Sequence, residues 1–418
     1  MIRVFIFLAT LLMINHASPS SFIAIQAPKG GEIPLKPFYF GYIFNADYIK
    51  QDPESLTVQT RGIMHPSLFS SESLLVHGED CVSFNEYDCS QYDCTEYPEQ
   101  EAEATYPYLT AKGNYAKLPL ILDYANWEIN TPAVIATTCE GFFMYGSNMN
   151  GIVGLGHAGK SGENFIGSKV FSVYLPQNGT DGKMFFHFDP SYALSEKPIT
   201  TLKTDDNWHV SSIQFINVGN TILEVGDHSL IFDLSGLDLG LPKKTFDGVF
   251  LALKEGYEIE CDKTLFNPNC TFTGLAKDFP SLTINTESGE KFLIPPQVFI
   301  EGGEEKDRVF GPNITLKFRA TSSQFEKNLS YVTPQYDNTI IVGANIMKSF
   351  YLKFDVAENV ISVFDANHGS PSEPESNFWT YVIILLILIG SCIAVYFIYT
   401  GAKKKKQEEP NPYASVQG

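Results

Sequence analysis

The chain is short of charge, of tryptophan and above all of positive charge. Only 18% of its 418 residues are Asp, Glu, Lys or Arg, and 29 Lys and Arg stand against 48 Asp and Glu, a formal net charge of -19. Nucleic acid is excluded as a partner, because displacing counterions from phosphate needs clustered cations. Sustained 3.6-residue apolar periodicity is scarce as well, which argues against helical bundles and coiled coils. The eight His residues show neither paired spacing nor a matching carboxylate, so no metal site is expected. Aromatic and apolar residues are plentiful: 32 Phe and 21 Tyr in a chain that is 44% hydrophobic. That composition buries a core and suits β-structure.

Both termini are hydrophobic, with different meanings. Met1-Ile-Arg3 and the apolar run Val4 to Ile14 read as a secretory signal over residues 1–20, too short to span a bilayer. From Phe378 to Thr400 there is no charge, and as a helix this stretch reaches ~34 Å, enough for the hydrocarbon core. Interfacial aromatics and the cluster Lys403 to Lys406 predict a type I orientation by the positive-inside rule. Residues 369–377 then form a stalk, residues 401–418 a cytoplasmic tail, and the preceding chain an ectodomain on the extracellular or lumenal side. In the tail, Tyr413-Ala-Ser-Val416 reads either as a sorting signal or as a disordered end.

Six of seven cysteines (Cys81, Cys89, Cys94, Cys139, Cys261 and Cys270) lie in this ectodomain, an even number suited to disulfides. Cys261 and Cys270 are expected to pair locally; three connectivities stay open among the other four. Sequons at Asn178, Asn269, Asn313 and Asn328 all fall on the same side of the membrane segment and predict N-glycosylation.

Between residues 36 and 368 short apolar or alternating runs follow one another, separated by Gly, Pro, Asn and Asp turns, the pattern of an all-β chain. Examples are Phe38 to Phe44, Ala133 to Thr138, Val170 to Leu175, Ser212 to Val218, Ser281 to Asn285 and Tyr351 to Val356. One arrangement recurs. Leu56-Thr-Val-Gln59-Thr-Arg61-Gly is followed by Ile152-Val-Gly-Leu-Gly, and Leu230-Ile-Phe-Asp233-Leu-Ser-Gly by Ile341-Val-Gly-Ala. Two copies of a strand with a small-residue loop, each followed by an apolar strand ending in Gly, predict two similar lobes, residues 36–195 and 196–368.

These segments resemble the pepsin-like aspartic peptidases over essentially the whole ectodomain. Tyr39-Phe-Gly-Tyr-Ile is similar to that family's opening strand, Asn150-Gly-Ile-Val-Gly-Leu-Gly to its Asp-Gly-Ile-Leu-Gly-Leu, and Phe171-Ser-Val-Tyr-Leu is a common family string. Trp208 to Asn220, Phe279 to Ile284 with Ile294 to Ile300, and Val342 to Phe364 follow in family order. The resemblance implies a bilobal, all-β acid-protease fold and two carboxylates, one per lobe, that share a proton. It places Asp233 at the second-lobe position, with Leu234 where the family keeps a hydroxyl and Ser235 where it keeps Gly, so the supporting loop is expected to be lost. It places Gln59 at the first position and Arg61 at the close-approach glycine, and an Arg61 to Asp233 pair across the cleft is expected. The flap tyrosine falls near Ala111, with Tyr115 as a substitute.

No Asp-Thr-Gly or Asp-Ser-Gly occurs anywhere in the chain. The resemblance therefore implies a degenerate dyad and a domain that binds peptide or protein in its interlobe cleft without cutting it. An atypical endopeptidase built on Asp233 and a structural surface glycoprotein are the alternatives. No cofactor is implied. Gly154 to Ser161 matches the G-x-x-x-x-G-K-S phosphate loop, but β context removes the strand-loop-helix setting that nucleotide binding needs.

Overall fold

In a computed structural model the structure describes residues 32–368, apart from the stretches 51–57, 77–80, 82–94, 123–126, 142–150, 157–169, 302–308 and 323–329 and a few shorter breaks. Met1–Ala366 forms one compact unit; Asn367–Gly418 forms a second, of which only the first two residues are described. The predicted signal segment and the apolar stretch Phe378 to Thr400 lie outside the described residues. Among those that are described, no helix is long and apolar enough to cross a membrane.

The first unit is mostly β-sheet, as the alternating runs require. A 13-stranded sheet and an 8-stranded sheet carry most of it, with four- and two-stranded sheets beside them. Alternation shows directly in burial. In Lys291–Ile294 the residues are exposed, buried, exposed, buried, whereas Val210–Val218 buries Val210, Ile213, Ile216 and Val218, three residues apart where bulges shift its register and two apart at its end. The predicted strands at 133–138, 170–175, 212–218, 281–285 and 351–356 all lie within or against observed strands. The run at 38–44 instead straddles two strands, Glu32–Phe38 and Gly41–Lys50, which pair at Phe38 opposite Gly41.

The longest helix among the described residues, Lys243–Tyr257, interrupts the pattern; it buries Phe246, Val249, Ala252 and Leu253 along one face and ends at Glu258 in the left-handed conformation. The predicted boundary near residue 195 does not divide the sheets cleanly. The closing strands Phe350–Asp355 and Val360–Asp365 return to the 13-stranded sheet, where Phe350–Asp355 pairs antiparallel with Val170–Tyr174. One apolar core runs continuously through both halves, from Ile33 and Leu35 to Ile361 and Val363.

One strand motif occurs twice. In the first half, Val58–Ser67 runs parallel to Gly151–Gly154, which is antiparallel to Ser73–Val76, itself parallel to Trp127–Gly141. In the second, Thr221–Asp233 runs parallel to Thr339–Gly343, which is antiparallel to Leu239–Pro242, itself parallel to Phe318–Ser322. A short loop therefore leaves one strand, and a strand from far along the chain is threaded beside it. The second loop is tied to its neighbour by Gly343 N–H donating to Asp238 O (3.1 Å) and Ala344 N–H to Gly236 O (2.6 Å). A Cβ on Gly343 would lie 2.4 Å from Asp238 O, so only glycine fits there.

Trp208 joins the halves. It is buried, its Nε1 donates to Leu155 O at 3.1 Å, and its ring meets Phe171 and Phe354 edge-on. Its φ of 58° is rare for so bulky a residue and is held by this packing.

Candidate functional site around Asp233

Asp233 ends its strand at 0% exposure. Ser235 folds back over the carboxylate: its backbone N–H donates to Oδ1 at 2.8 Å, and its Oγ lies 2.6 Å from Oδ1 and 2.5 Å from Oδ2. The expectation that this loop loses its support is therefore corrected, because the hydroxyl sits two residues after the acid. Leu234 turns the other way, into the core. Burial pushes the Asp233 pKa upward, while Ser235 and the Arg319 guanidinium oppose the shift.

Arg319, 1% exposed on the strand Phe318–Ser322, is the cation that faces this loop. A Cβ built on Gly236 would lie 2.5 Å from Arg319 Nη2 and 3.4 Å from Asp233 Oδ2, which places both groups against the same backbone position. Asp238 belongs to the same electrostatic cluster; burial raises its pKa, and Arg319 and a hydrogen bond from Asn345 work against the rise. Two buried carboxylates thus lie in the electrostatic field of one buried guanidinium, whose hydrogen bond goes to Tyr108.

The cover comes from the first half of the chain. The strands Thr95–Tyr106 and Leu109–Leu122 form a hairpin whose tip pairs Tyr106 with Leu109 around Pro107 and Tyr108. Arg319 Nη2 donates to Tyr108 Oη, and the guanidinium carbon sits 4.9 Å from the Tyr108 ring centroid. Thr333 clamps the tip, its N–H donating to Pro107 O at 2.7 Å and its Oγ1 to Tyr106 O at 3.0 Å, and Tyr336 Oη donates to Thr105 O at 3.4 Å. Tyr106, Tyr108, Val332, Tyr336, Ile231 and Ile341 share one apolar cluster drawn from both halves. Burial drives the hydroxyl pKa values of Tyr108 and Tyr336 above the usual tyrosine range.

The flap expectation is corrected as well. Ala111 is fully buried within the second strand of the hairpin, opposite Ala104 and Cys139. Tyr115 lies further from the tip and stacks obliquely with Tyr97 at 5.6 Å. The tyrosine at the tip is Tyr108, which Tyr-Pro-Tyr-Leu announces through a proline that presets the turn.

The first-half counterpart of Asp233 is not Gln59. Asp233 lies opposite Gly343 in its parallel pair, and the residue opposite the corresponding Gly154 is Ser67. The spacing agrees: Ser73 begins the next strand six residues after Ser67, as Leu239 does after Asp233. Ser67 is fully buried and its Oγ has no hydrogen-bond partner among the described residues. Gln59, eight residues before Ser67, pairs with Ile49, and Arg61, six residues before it, pairs with Asp47. That is ~20 Å or more up the strand from Ser67. Their side chains lie outside the described part, and the cation beside Asp233 is Arg319.

Of the cysteines, Cys81 bonds Cys139 and Cys261 bonds Cys270; Cys89 and Cys94 lie outside the described residues. Asn269 and Asn313 are exposed, while Asn178 and Asn328 lie outside the description, as does most of the Gly154 to Ser161 loop. No protein-family model matches the chain, and no curated protein matches it.

Proposed function

We propose that the chain is a membrane-anchored relative of the pepsin-like aspartic peptidases that has lost peptide-bond hydrolysis and acts as a binding protein for peptide or protein ligands outside the cytoplasm. The observation that carries this reading is the asymmetry of the repeated motif: Asp233 in one copy, Ser67 in the other. Hydrolysis in that family needs two carboxylates, one to activate water and one to protonate the scissile carbonyl. Serine supplies neither charge nor an acidic proton. The remaining acid is fully buried, bonded by Ser235 and balanced by Arg319, and offers no open face to an attacking water.

Burial of Tyr108 over this loop favours a second reading, a structural surface glycoprotein whose cleft is permanently filled. Two assays separate the readings. Purified ectodomain, assayed from about pH 3 to about pH 7 against an unfolded protein, is expected to cleave no faster than its Asp233→Asn variant. Cleavage abolished by that substitution would sink the non-catalytic reading. A statine-type peptide is expected to raise the melting temperature if the hairpin tip can lift and to leave it unchanged if the cleft is closed for good.

A further inference from the structure

Two of the four sequons lie side by side on one small sheet. The strands Asn269–Thr271 and Asn313–Leu316 are antiparallel neighbours, with Asn269 opposite Thr315, Cys270 opposite Ile314 and Thr271 opposite Asn313. The two Asn-x-Thr triplets therefore match each other in register across a single strand pair. Side chains alternate along a strand, so the asparagine and threonine of both sequons share one face, and the middle residues share the other. Burial agrees: Asn269, Thr271 and Asn313 are exposed, whereas Cys270 and Ile314 are each 2% exposed and join the core.

The outer strands extend the same face. Glu260 stands opposite Thr271 and Glu301 opposite Thr315, both exposed, and the Cys261 to Cys270 disulfide lies on the core side. Among the described residues this face is polar over all four strands, presenting Glu260, Asn269, Thr271, Asn313, Thr315 and Glu301. The diagonal offset puts Asn269 and Asn313 about 7–8 Å apart. Asn269 is also held ready: Thr315 Oγ1 donates to its Oδ1 at 2.8 Å, and its Nδ2 donates to Asp262 Oδ2 at 3.3 Å. A sugar on Nδ2 leaves Oδ1 and one N–H in place, so both contacts survive the modification.

We infer that Asn269 and Asn313 are N-glycosylated as a pair and that these two glycans cover the outer face of this sheet. In each transfer Nδ2 bonds the anomeric carbon of an oligosaccharide carried on a lipid diphosphate, the sugar–phosphate bond breaks, and the amide proton leaves with the phosphate. The inference rests on the extracytoplasmic placement of this part of the chain.

The full chain, expressed in a eukaryotic secretory system, is treated with peptide N-glycosidase in heavy-oxygen water and mapped by mass spectrometry. Labelled aspartate is expected at both 269 and 313. Thr271→Val and Thr315→Val are each expected to remove one glycan step on a gel, and the double variant two, with any glycan at Asn178 or Asn328 retained. Hydroxyl-radical labelling of Glu260 and Glu301 is expected to rise once the glycans are trimmed. Occupancy at Asn178 or Asn328 with none at Asn269 and Asn313 overturns the inference while leaving the placement intact. No glycan at any of the four overturns the placement together with it. Occupancy of both without a change in labelling overturns the covering of the face.

Discussion

Replacing Arg319 by methionine keeps most of the apolar volume of the side chain and removes its charge, which tests whether the cluster around Asp233 is held together by that charge. Arg319 is 1% exposed, donates to Tyr108 Oη and opposes the upward pKa shifts of both Asp233 and Asp238. Neither carboxylate lies within ion-pair distance of Arg319, so the substitution removes a longer-range attraction and the buried bond to Tyr108, which together cost about 1.5–3 kcal/mol. The carboxylates have an escape, because each can take up a proton, and that fixes the sign of the pH dependence. The ordinary Asp value is 3.8, and burial raises the folded value of Asp233 above it. A raised carboxylate binds its proton more tightly in the folded state. Its contribution is therefore fully present below 3.8 and is lost as pH rises through the folded pKa. Removing Arg319 raises that folded pKa further. The variant is expected to lose about 1.5–3 kcal/mol near pH 7.5 and less near pH 4.5, because proton uptake by a raised carboxylate lowers its need for a counter-charge. Urea midpoints at the two pH values, followed by the fluorescence of buried Trp208, measure the difference. Adding Asp233→Asn is expected to recover part of the loss at the higher pH. Equal losses at both pH values, or strict additivity with Asp233→Asn, would refute the reasoning.

The remaining expectations concern the supports around the site. Ser235→Ala removes the hydroxyl from both carboxylate oxygens while keeping the backbone N–H bond; it is expected to cost about 1.5–3 kcal/mol at neutral pH and less in acid, again by urea midpoint. Trp208→Phe leaves Leu155 O without its 3.1 Å donor and is expected to cost about 2–3 kcal/mol, read as a lower melting temperature. Opening the Cys81 to Cys139 loop, a separation of 58 residues, is expected to cost about 4 kcal/mol, against about 2.5 kcal/mol for the nine-residue Cys261 to Cys270 loop. The paired Cys→Ala variants, compared in urea, check the order; a larger loss from the shorter loop would contradict the chain-entropy account.

Much of the strand framework is legible in the sequence because a half-buried strand alternates, as in Leu282-Thr-Ile284 and Leu352-Lys-Phe354-Asp355, whose apolar residues are buried. Asp233 is legible for a related reason: Leu230-Ile-Phe runs apolar into the acid and the chain then turns. Its first-half counterpart is hidden because the matching strand ends Met64-His65-Pro66-Ser67. A histidine and a proline in a buried parallel strand do not look like one, and a reading anchored on Gly62 stops short. The spacing to the next strand, the same after Ser67 as after Asp233, is the signal that finds it. The helix Lys243–Tyr257 was readable from the apolar phase of Phe246, Val249, Ala252 and Leu253, but a chain of short β-runs draws attention away from it. Arg319 has no local signal. Its role depends on which strand lies beside Leu239–Pro242, and pairing between distant strands is not written in the neighbours of either.

The closed site has its own logic once Ser67 and Arg319 are in view. In a cleft that works on peptides, the backbone groups along its walls stay free to pair with a substrate. Here Thr333 N–H already donates to Pro107 O, the Thr333 hydroxyl to Tyr106 O, and Arg319 to Tyr108. Tyr106 and Tyr108 contribute apolar area to the same cluster as Ile231 and Ile341. The hairpin tip thus uses, within the chain, the same two kinds of contact that a bound peptide would offer: strand-like hydrogen bonds and a buried aromatic side chain. A ligand that opens the site has to replace both, and it has to give Arg319 a new acceptor, because a buried guanidinium left without one costs more than the lost bond. An extended segment with an aromatic residue and an oxygen acceptor positioned for Arg319 meets these demands, whereas a purely apolar peptide does not. Ser67 in one copy of the strand motif and Asp233 in the other leave a single carboxylate at the paired positions, and through Ser235 and the Arg319 to Tyr108 bond beside it this acid sits among the contacts that hold the hairpin tip against the second half.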